Sequence, residues 1–178
     1  MQQLQSSNTE HSLAVVIGAN GGLGSALLAE FGREKLFARF IGFSRKSTPS
    51  LDLLSEASIV ECARHIGAIG SPRLVIDATG FLYDAEVEPE KSLRQLTPEH
   101  LAKAFAVNAI GPALLMKHFL PLMPRRERAV FATLSAKVGS IGDNHLGGWY
   151  SYRASKAALN QLVRTAAIEL RRTAPNAI

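Results

Sequence analysis

Short apolar runs along the chain alternate with longer segments whose apolar residues recur at helical spacing. The first run, residues 13–17, is continuous and ends in glycines. This pattern is typical of a strand that is buried on both faces of a parallel sheet. Later short runs predict further strands at residues 40–43, 50–53, 74–77 and 129–134.

Helical spacing follows most of these predicted strands. In Thr97-Pro98-Glu99, an N-cap hydroxyl, a proline at the first helical position and an acid in the first turn predict the start of a helix that runs to about Leu120. Gly32 is expected to help end the first helix, which begins at Leu23. Two further helices are predicted at residues 55–66 and 149–172.

Strands that alternate with helices predict right-handed βαβ units and therefore an α/β fold with a doubly wound parallel sheet. The length of 178 residues fits one domain. We expect a polar N-terminal leader over residues 1–12 and a single domain over residues 13–178.

Composition and cysteine content exclude several classes of protein. Hydrophobic residues at 47% and charged residues at 20% are typical of a globular chain. The single cysteine, Cys62, excludes an internal disulfide and gives no basis for a metal site built on cysteines. The polar start lacks the features of a secretory signal, and no apolar run approaches the ~18 residues of a membrane span. We therefore expect a cytoplasmic protein with no membrane partner and no bound metal.

The charge balance, with 20 Lys and Arg against 15 Asp and Glu, raises the question of nucleic-acid binding. The basic residues are scattered, however, and the aromatic residues, at 7%, do not interleave with them. This distribution favours a solvated surface, and no nucleic-acid partner is expected. Arg45 and Lys46 are the exception because of their position after a strand.

A glycine-rich loop, Gly18-x-x-x-Gly22-x-Gly24, follows the first strand. The loop in this position meets a helix N-terminus, where free N–H groups and the helix dipole favour a phosphate. Glycines allow the sharp turn and the close approach of a pyrophosphate. The spacing differs from G-x-G-x-x-G, and no Gly-Lys-Ser/Thr follows. The loop predicts dinucleotide binding, with a tight turn that binds no ligand as the alternative.

The residues after the second strand, Ser44-Arg45-Lys46, indicate which dinucleotide binds. A site for NAD has an acid about 20 residues after the glycines, which hydrogen-bonds the adenosine ribose. A guanidinium in that place pairs with a 2′-phosphate instead. Arg45 therefore favours NADP over NAD, the alternative being an arginine on the surface at a strand end.

Tyr152 and Lys156 are four residues apart and lie on one face of a predicted helix. At about 4 Å and an effective dielectric of about 20, the ammonium would favour the phenolate by up to ~4 kcal/mol, roughly three pKa units. Tyr152 could then exchange a proton with a carbonyl or an alcohol oxygen. Such pairs also arise by chance on solvated helices. The pair indicates a catalytic role only in combination with the glycine loop upstream.

Taken together, the glycine loop and Tyr152-Arg153-Ala154-Ser155-Lys156 resemble the short-chain dehydrogenase/reductase family. Asp77-Ala78-Thr79-Gly80 stands in place of that family's N-N-A-G turn, and Asn108 also matches. Residues 89–93 and 147–152 resemble the C-factor-like and sniffer-like carbonyl reductase branch. The resemblance covers roughly residues 13–175 and implies a Rossmann-type fold.

The resemblance implies a role for each matching position. Tyr152 would be the general acid-base, Lys156 would hold the nicotinamide ribose and lower the pKa of Tyr152, and Asn108 would join a proton relay. The family places a substrate-orienting serine three residues before a glycine, where this chain has Ala136. Ser135 is preferred as the substitute, with Ser140 or no serine as the alternatives. The implied cofactor-binding residues are Gly18, Asn20, Gly22, Leu23, Gly24, Ser44, Arg45, Asp52, Leu53, Ala78, Thr79, Gly80, Asn108, Tyr152 and Lys156.

These features predict an NADP(H)-dependent oxidoreductase that transfers hydride between nicotinamide and a carbonyl or secondary alcohol substrate. The alternative is a non-catalytic or weakly active NADP-binding protein with a signalling or redox-sensing role. The resemblance also implies a homodimer through the helices that carry Asn108 and Lys156, with packing of their alanines on the sheet as the alternative.

The family continues after the last helix into further strands. The resemblance therefore implies that the last strands of the family fold are lacking here and that the 129–134 strand is a bare sheet edge. Weak NADP binding and slow turnover are expected as a consequence.

Overall fold

The computed structural model describes residues 12–85 and 87–178, so the predicted leader, apart from Ser12, lies outside the described residues. Four parallel strands form one sheet in the order β2-β1-β3-β4. This arrangement confirms the predicted α/β fold with a parallel sheet. The strands are β1 (Leu13–Ile17), β2 (Arg39–Phe43), β3 (Pro72–Asp77) and β4 (Val130–Thr133).

Four main helices connect and flank the strands. The second begins after Ser55, whose side chain accepts a hydrogen bond from the Ser58 N–H, and the third after Thr97, whose side chain accepts one from the His100 N–H. The first helix passes Gly32, the predicted stop, and its C-cap is Lys35 in the left-handed region with φ of 50°. The helices are α1 (Gly22–Glu34), α2 (Glu56–Ile69), α3 (Pro98–Leu122) and α4 (Tyr150–Thr173).

The predicted strand at residues 50–53 is wrong. Its hydrogen bonds are local, because the Leu51 N–H donates to the Ser44 carbonyl at 2.9 Å and the Ser50 hydroxyl donates to the Arg45 carbonyl at 3.0 Å. Leu51 is buried and belongs to the core beneath α2. The apolar residues of this segment therefore reflect a buried loop.

Alternate residues of β1 supply the two faces of the core. Val15 and Ile17 pack in one cluster with apolar residues of α2 and α3, while Val16 packs with Phe31 of α1 on the other face. All five residues of β1 are buried, as the continuous run predicts. The strand order reverses at β1, which is the place where ligands bind in open sheets of this type.

Helix α3 widens in its middle. Residues Ala106–Ile110 form a π-helical segment between two α-helical parts. By length and composition α3 could cross a membrane, with a mean hydropathy of 1.3 over an 18-residue window. Leu115 and Phe119 of this helix are fully buried in the core, and the core helix of a globular domain can have the same length and composition.

The outer edge of β4 is paired over part of its length. The expectation of a bare sheet edge at residues 129–134 is therefore wrong for that part. Ala129 pairs with Ala177 in a parallel bridge. The Ile178 N–H donates to the Ala129 carbonyl, and the Phe131 N–H donates to the Ile178 carbonyl, both at 2.9 Å. Residues 177–178 thus pair with the N-terminal part of this edge.

Candidate functional site

The glycine-rich loop turns sharply between β1 and α1. Gly18 has φ of 85°, and its N–H donates to the Phe43 carbonyl at 2.9 Å. A Cβ on Gly18 would lie 3.1 Å from the carbonyl carbon of Ala78 and from Cγ2 of Thr79. The loop therefore packs closely on β2 and on the turn after β3. Gly18, Ala78 and Thr79, which the resemblance assigns to the cofactor, come together at one edge of the sheet.

The other two loop glycines have different surroundings. A Cβ on Gly24 would overlap the Gly18 carbonyl oxygen, whereas a Cβ on Gly22 would meet nothing within 4 Å. The N-cap residue of α1 is Gly21, which has no side chain to cap the first N–H groups, and Asn20 and Leu23 are exposed beside it. This helix start combines exposed donors with open space, which suits a phosphate.

Arg45 lies on the same edge of the sheet as the glycine loop. The Phe43 carbonyl that accepts hydrogen bonds from the loop is only two residues before it. Ser44 closes the turn, since its Oγ accepts from the Lys46 N–H at 3.1 Å, and the Arg45 side chain is exposed. The end of β2, where Arg45 lies, is therefore adjacent to the glycine loop, and contact of the guanidinium with a 2′-phosphate stays a prediction.

Asp52 and Leu53, the residues assigned to the adenine, lie just before α2. The Asp52 carboxylate accepts a hydrogen bond from the Leu54 N–H at 3.0 Å. Leu53 contacts α3, where a Cβ on Gly111 would lie 2.9 Å from its Cβ. Both residues thus have structural partners, and their contact with adenine stays a prediction.

Lys156 and Tyr152 are neighbours in the first turns of α4. The Lys156 ammonium, in a side chain only 3% exposed, donates to the Leu134 carbonyl at 2.7 Å and lies 5.9 Å from the centroid of the Tyr152 ring. Burial raises the pKa of Tyr152. Burial lowers the pKa of Lys156, and the charge of Asp77 partly opposes this. The expected lowering of the Tyr152 pKa by Lys156 is therefore wrong for this arrangement, because the ammonium is bonded to a carbonyl instead.

Asn108 lies in the π-helical segment of α3 and is fully buried. Its Oδ1 accepts from the Phe81 N–H and its Nδ2 donates to the Phe81 carbonyl, both at 2.7 Å. Nδ2 also donates to the Ser155 hydroxyl at 3.1 Å. A Cβ on Gly80 would lie 3.8 Å from both Asn108 Oδ1 and Lys156 Nζ. The structure thus brings Gly80, Asn108 and Lys156 together, and π-helical segments frequently mark functional sites.

Ser135 follows the end of β4 and contacts α4. Its hydroxyl donates to Oδ1 of Asn160 at 2.6 Å, one turn beyond Lys156. Gly139 approaches the same helix closely, since a Cβ there would lie 3.0 Å from Lys156 Cβ. Ser140 is exposed. The substrate-orienting role of either serine stays a prediction.

Asp77 at the end of β3 joins the site, although the sequence analysis gave it only a place in the turn motif. It is fully buried, and its Oδ1 accepts from the Thr79 N–H at 3.0 Å and from the Thr79 hydroxyl at 2.5 Å. Oδ2 accepts from the Thr133 hydroxyl of β4 at 2.8 Å. Burial raises the pKa of this carboxyl group. Asp77 therefore ties the turn after β3 to the neighbouring strand.

A second buried acid, Glu90, contacts Ser151 directly before Tyr152. Nothing in the sequence spacing predicts this contact, because the two residues are far apart in the chain. A cleft of about 280 Å³ lies on another side of α4, between that helix and residues 138–148. Arg153 and Ala157 line it, whereas Tyr152 and Lys156 do not. Among the residues that the structure describes, no group of three or more His, Cys, Asp or Glu could hold a metal ion.

Comparison with known proteins adds independent findings. A family model described as enoyl-(acyl carrier protein) reductase matches residues 30–176. The C-signal protein of Myxococcus xanthus is 38% identical over 71 residues, which cover 40% of this chain. The structure catalogued as carbonyl reductase Sniffer of Caenorhabditis elegans has a TM-score of 0.74 at 28% identity, covering 92% of this chain and 81% of that chain. The NADPH-bound carbonyl reductase from chicken fatty liver has the same fold, with a TM-score of 0.77 at 23% identity, covering 91% of this chain and 72% of that chain.

The chain spans 43% of the length of the C-signal protein and 47% of that of a second curated relative. Matches to solved structures of this fold extend over most of the described domain.

Proposed function

This chain belongs to the short-chain dehydrogenase/reductase family, and we propose that it is an NADP(H)-dependent oxidoreductase acting on a carbonyl or secondary alcohol substrate. The observation that carries the proposal is the convergence of Gly80, Asn108 and Lys156 beside Tyr152. The glycine loop lies at the same edge of the sheet, through its contact with Ala78 and Thr79.

The residues at this edge fit the cofactor. The open space at Gly22 adjoins the exposed first N–H groups of α1, which would hold the pyrophosphate. Arg45, exposed at the end of β2, would pair with the 2′-phosphate. Bound NADP(H) supplies or accepts the hydride, and the protein supplies orientation and a proton.

Tyr152 is the proton donor in the proposed reduction. The phenol would give its proton to the substrate carbonyl oxygen. Burial raises the pKa of Tyr152, which makes this phenol a weaker acid than a solvent-exposed tyrosine. The Asn108 side chain bonds both the N–H and the carbonyl of Phe81 and thereby fixes the turn next to Lys156.

The experiment is NADPH oxidation by the chain over a panel of aldehydes, diketones and quinones. The wild type should turn over at least one of them, and Tyr152→Phe should abolish turnover while it still binds NADPH, because only the proton donor is lost. Lys156→Ala should harm both binding and turnover. Near-normal kcat in Tyr152→Phe would place the acid elsewhere and contradict the proposed mechanism.

A second function has two observations in its favour. The similarity to a protein named C-signal, together with alanine at position 136, supports a non-catalytic or weakly active NADP-binding protein with a signalling or redox-sensing role. NADPH binding without turnover over the whole panel would favour this alternative.

We also propose a homodimer in the cytoplasm. Exposed apolar side chains lie on both helices that the dimer would use, namely Ile110 on α3 and Leu162 and Ile168 on α4. Burial of such residues between two copies would stabilise the assembly. Sedimentation that shows a monomer at micromolar concentration would reject the dimer, and cell fractionation tests the location.

A further inference from the structure

A buried polar cluster lies beside the start of α4, formed by Glu90, His100 and Ser151. Their exposed fractions are 2%, 4% and 0%. The Ser151 hydroxyl donates to Oε1 of Glu90, and the Ser151 N–H donates to Oε2 at 3.3 Å. Nδ1 of His100 lies 3.0 Å from Oε1. Burial opposes ionisation of Glu90, but the hydrogen bonds to its carboxylate and the neighbouring His100 together hold the pKa of Glu90 below its usual value.

Glu90 supplies the cap that α4 lacks. The N-cap residue is Trp149, whose side chain makes no capping hydrogen bond. The Trp149 N–H donates to the Glu90 carbonyl, and the Ser151 N–H, two residues further on, donates to the Glu90 carboxylate. A carboxylate at this end of a helix is favoured both as an acceptor and by the helix dipole.

The backbone at this start is strained, and Glu90 contacts it. Trp149 has φ of 53°, a left-handed conformation that is unusual for a bulky residue. Gly147 and Gly148 before it both have φ of 66°, and a Cβ on Gly148 would lie 3.3 Å from the Glu90 carbonyl oxygen. Such conformations persist only where the surroundings hold them, and they concentrate at functional sites.

The other side of the cluster is anchored to α3. His100 is in the first turn of that helix, and its Nε2 is buried with no hydrogen-bond partner among the described residues. An unpaired buried polar atom is unfavourable, so the position of this ring needs a compensating contact. The contact of Nδ1 with Glu90 provides one. Lys103, which bonds Asp84 and lies 5.0 Å from the Phe81 ring centroid, ties the same loop to α3.

Tyr152 directly follows Ser151, and its ring meets the Trp149 ring edge to face, with centroids 6.2 Å apart. We propose that Glu90 is a positioning residue for Tyr152: held by His100 of α3, it caps α4 from outside and fixes the first turn from which the phenol projects. The effect of Glu90 on catalysis rests on the proposed function. The geometric part of the inference, that Glu90 caps α4 and fixes its first turn, does not.

The test compares Glu90→Gln and Ser151→Ala with Glu88→Gln, a matched control at an exposed acid two residues away in the same loop. Glutamine replaces one acceptor oxygen with a donor, so either the Ser151 N–H or the Ser151 hydroxyl loses its acceptor. Trp149 is the only tryptophan in the chain, and its emission therefore reports on this turn alone.

We expect Glu90→Gln to lower kcat about tenfold or more, since small misplacements of a catalytic group can cost up to ~10²-fold. The Kd for NADPH should stay within about twofold of the wild-type value, and Trp149 emission should shift to the red. Ser151→Ala is the milder variant and serves if Glu90→Gln fails to fold. It should lower kcat and shift the Trp149 emission to the red, each by less than Glu90→Gln does. Glu88→Gln should change neither kcat nor the emission.

Unchanged kcat and unchanged emission in Glu90→Gln and Ser151→Ala would overturn the proposal. A lower melting temperature with normal kcat would also overturn it, because it would reveal a purely structural role. Absence of turnover in the wild type contradicts the proposed function instead. In that case the emission decides the geometric part: a red shift in Glu90→Gln but not in Glu88→Gln supports it, and identical spectra reject it.

Discussion

Two glycines of the same loop should respond to alanine in opposite ways. A Cβ on Gly24 would overlap the Gly18 carbonyl oxygen and lie 2.8 Å from its carbon and 3.1 Å from Cα of Ala19. All three are backbone atoms, so no change of rotamer can relieve the contact. A Cβ on Gly22, at the first position of α1, would meet nothing within 4 Å.

The magnitudes follow from these surroundings. Alanine at Gly24 gains up to ~1 kcal/mol of helix propensity but forces a backbone shift that typically costs about 1–3 kcal/mol. We expect a net loss of about 1–2 kcal/mol, or about 2–8 °C in melting temperature for a chain of this size. Gly22→Ala should gain about 0.4–1 kcal/mol by restricting the unfolded chain, which raises the melting temperature by about 1–4 °C.

Cofactor binding should separate the two variants further. In Gly22→Ala the new methyl group enters the space where the pyrophosphate approaches the helix. We expect the loss of a hydrogen bond to a charged group, about 1.5–3 kcal/mol, which is more than tenfold in Kd for NADPH. Gly22→Ala would then be more stable than the wild type and yet bind NADPH more weakly.

The assays are thermal unfolding followed by circular dichroism and a fluorescence titration with NADPH. A melting temperature of Gly24→Ala equal to that of the wild type would refute the close approach of Gly24 to Gly18. An unchanged Kd for NADPH in Gly22→Ala would show that the pyrophosphate lies elsewhere. The opposite signs of the two melting shifts make each variant the control for the other.

Three further predictions concern single side chains. Arg45→Ala should weaken NADPH by about 1.5–3 kcal/mol and leave NADH almost unchanged, as measured by paired titrations; equal losses would remove Arg45 from the 2′-phosphate site. Ser135→Ala should lower kcat with little change in NADPH affinity if Ser135 orients the carbonyl, and an unchanged kcat would move the role to Ser140 or to no serine. For Asp77, burial raises the native pKa above the usual 3.8, so the native state holds a proton that the unfolded state has already lost. The unfolding free energy of the wild type should therefore fall relative to Asp77→Asn as the pH rises from about 4 towards 7. Urea unfolding at several pH values measures this difference, and a difference independent of pH would contradict the buried-acid interpretation.

Local patterns in the sequence were sufficient for much of the fold. The continuous apolar run of β1 and the hydroxyl cap of Thr97 are confirmed, because each depends on neighbours within one turn or one strand. The glycine loop also bonds to the end of β2, two residues before Arg45, since parallel strands bring their carboxyl ends to one edge. In contrast, residues 50–53 have apolar residues typical of a strand, yet their backbone groups bond within the preceding turn.

Contacts between distant segments were decided by the tertiary structure. Lys156 is four residues from Tyr152, but its ammonium bonds the Leu134 carbonyl, so the pKa of Tyr152 is raised by burial and not lowered. Glu90 and Ser151 are far apart in the chain, and no spacing rule links them. Periodicity records which face of an element is apolar, whereas the partner of a buried polar group depends on which elements pack together. The sequence alone therefore determined the four strands of the sheet but not the loop at residues 50–53, together with the glycine loop and the residue types of the site. Only the packing of α3 and α4 on the sheet determined the hydrogen-bond partners of those residues.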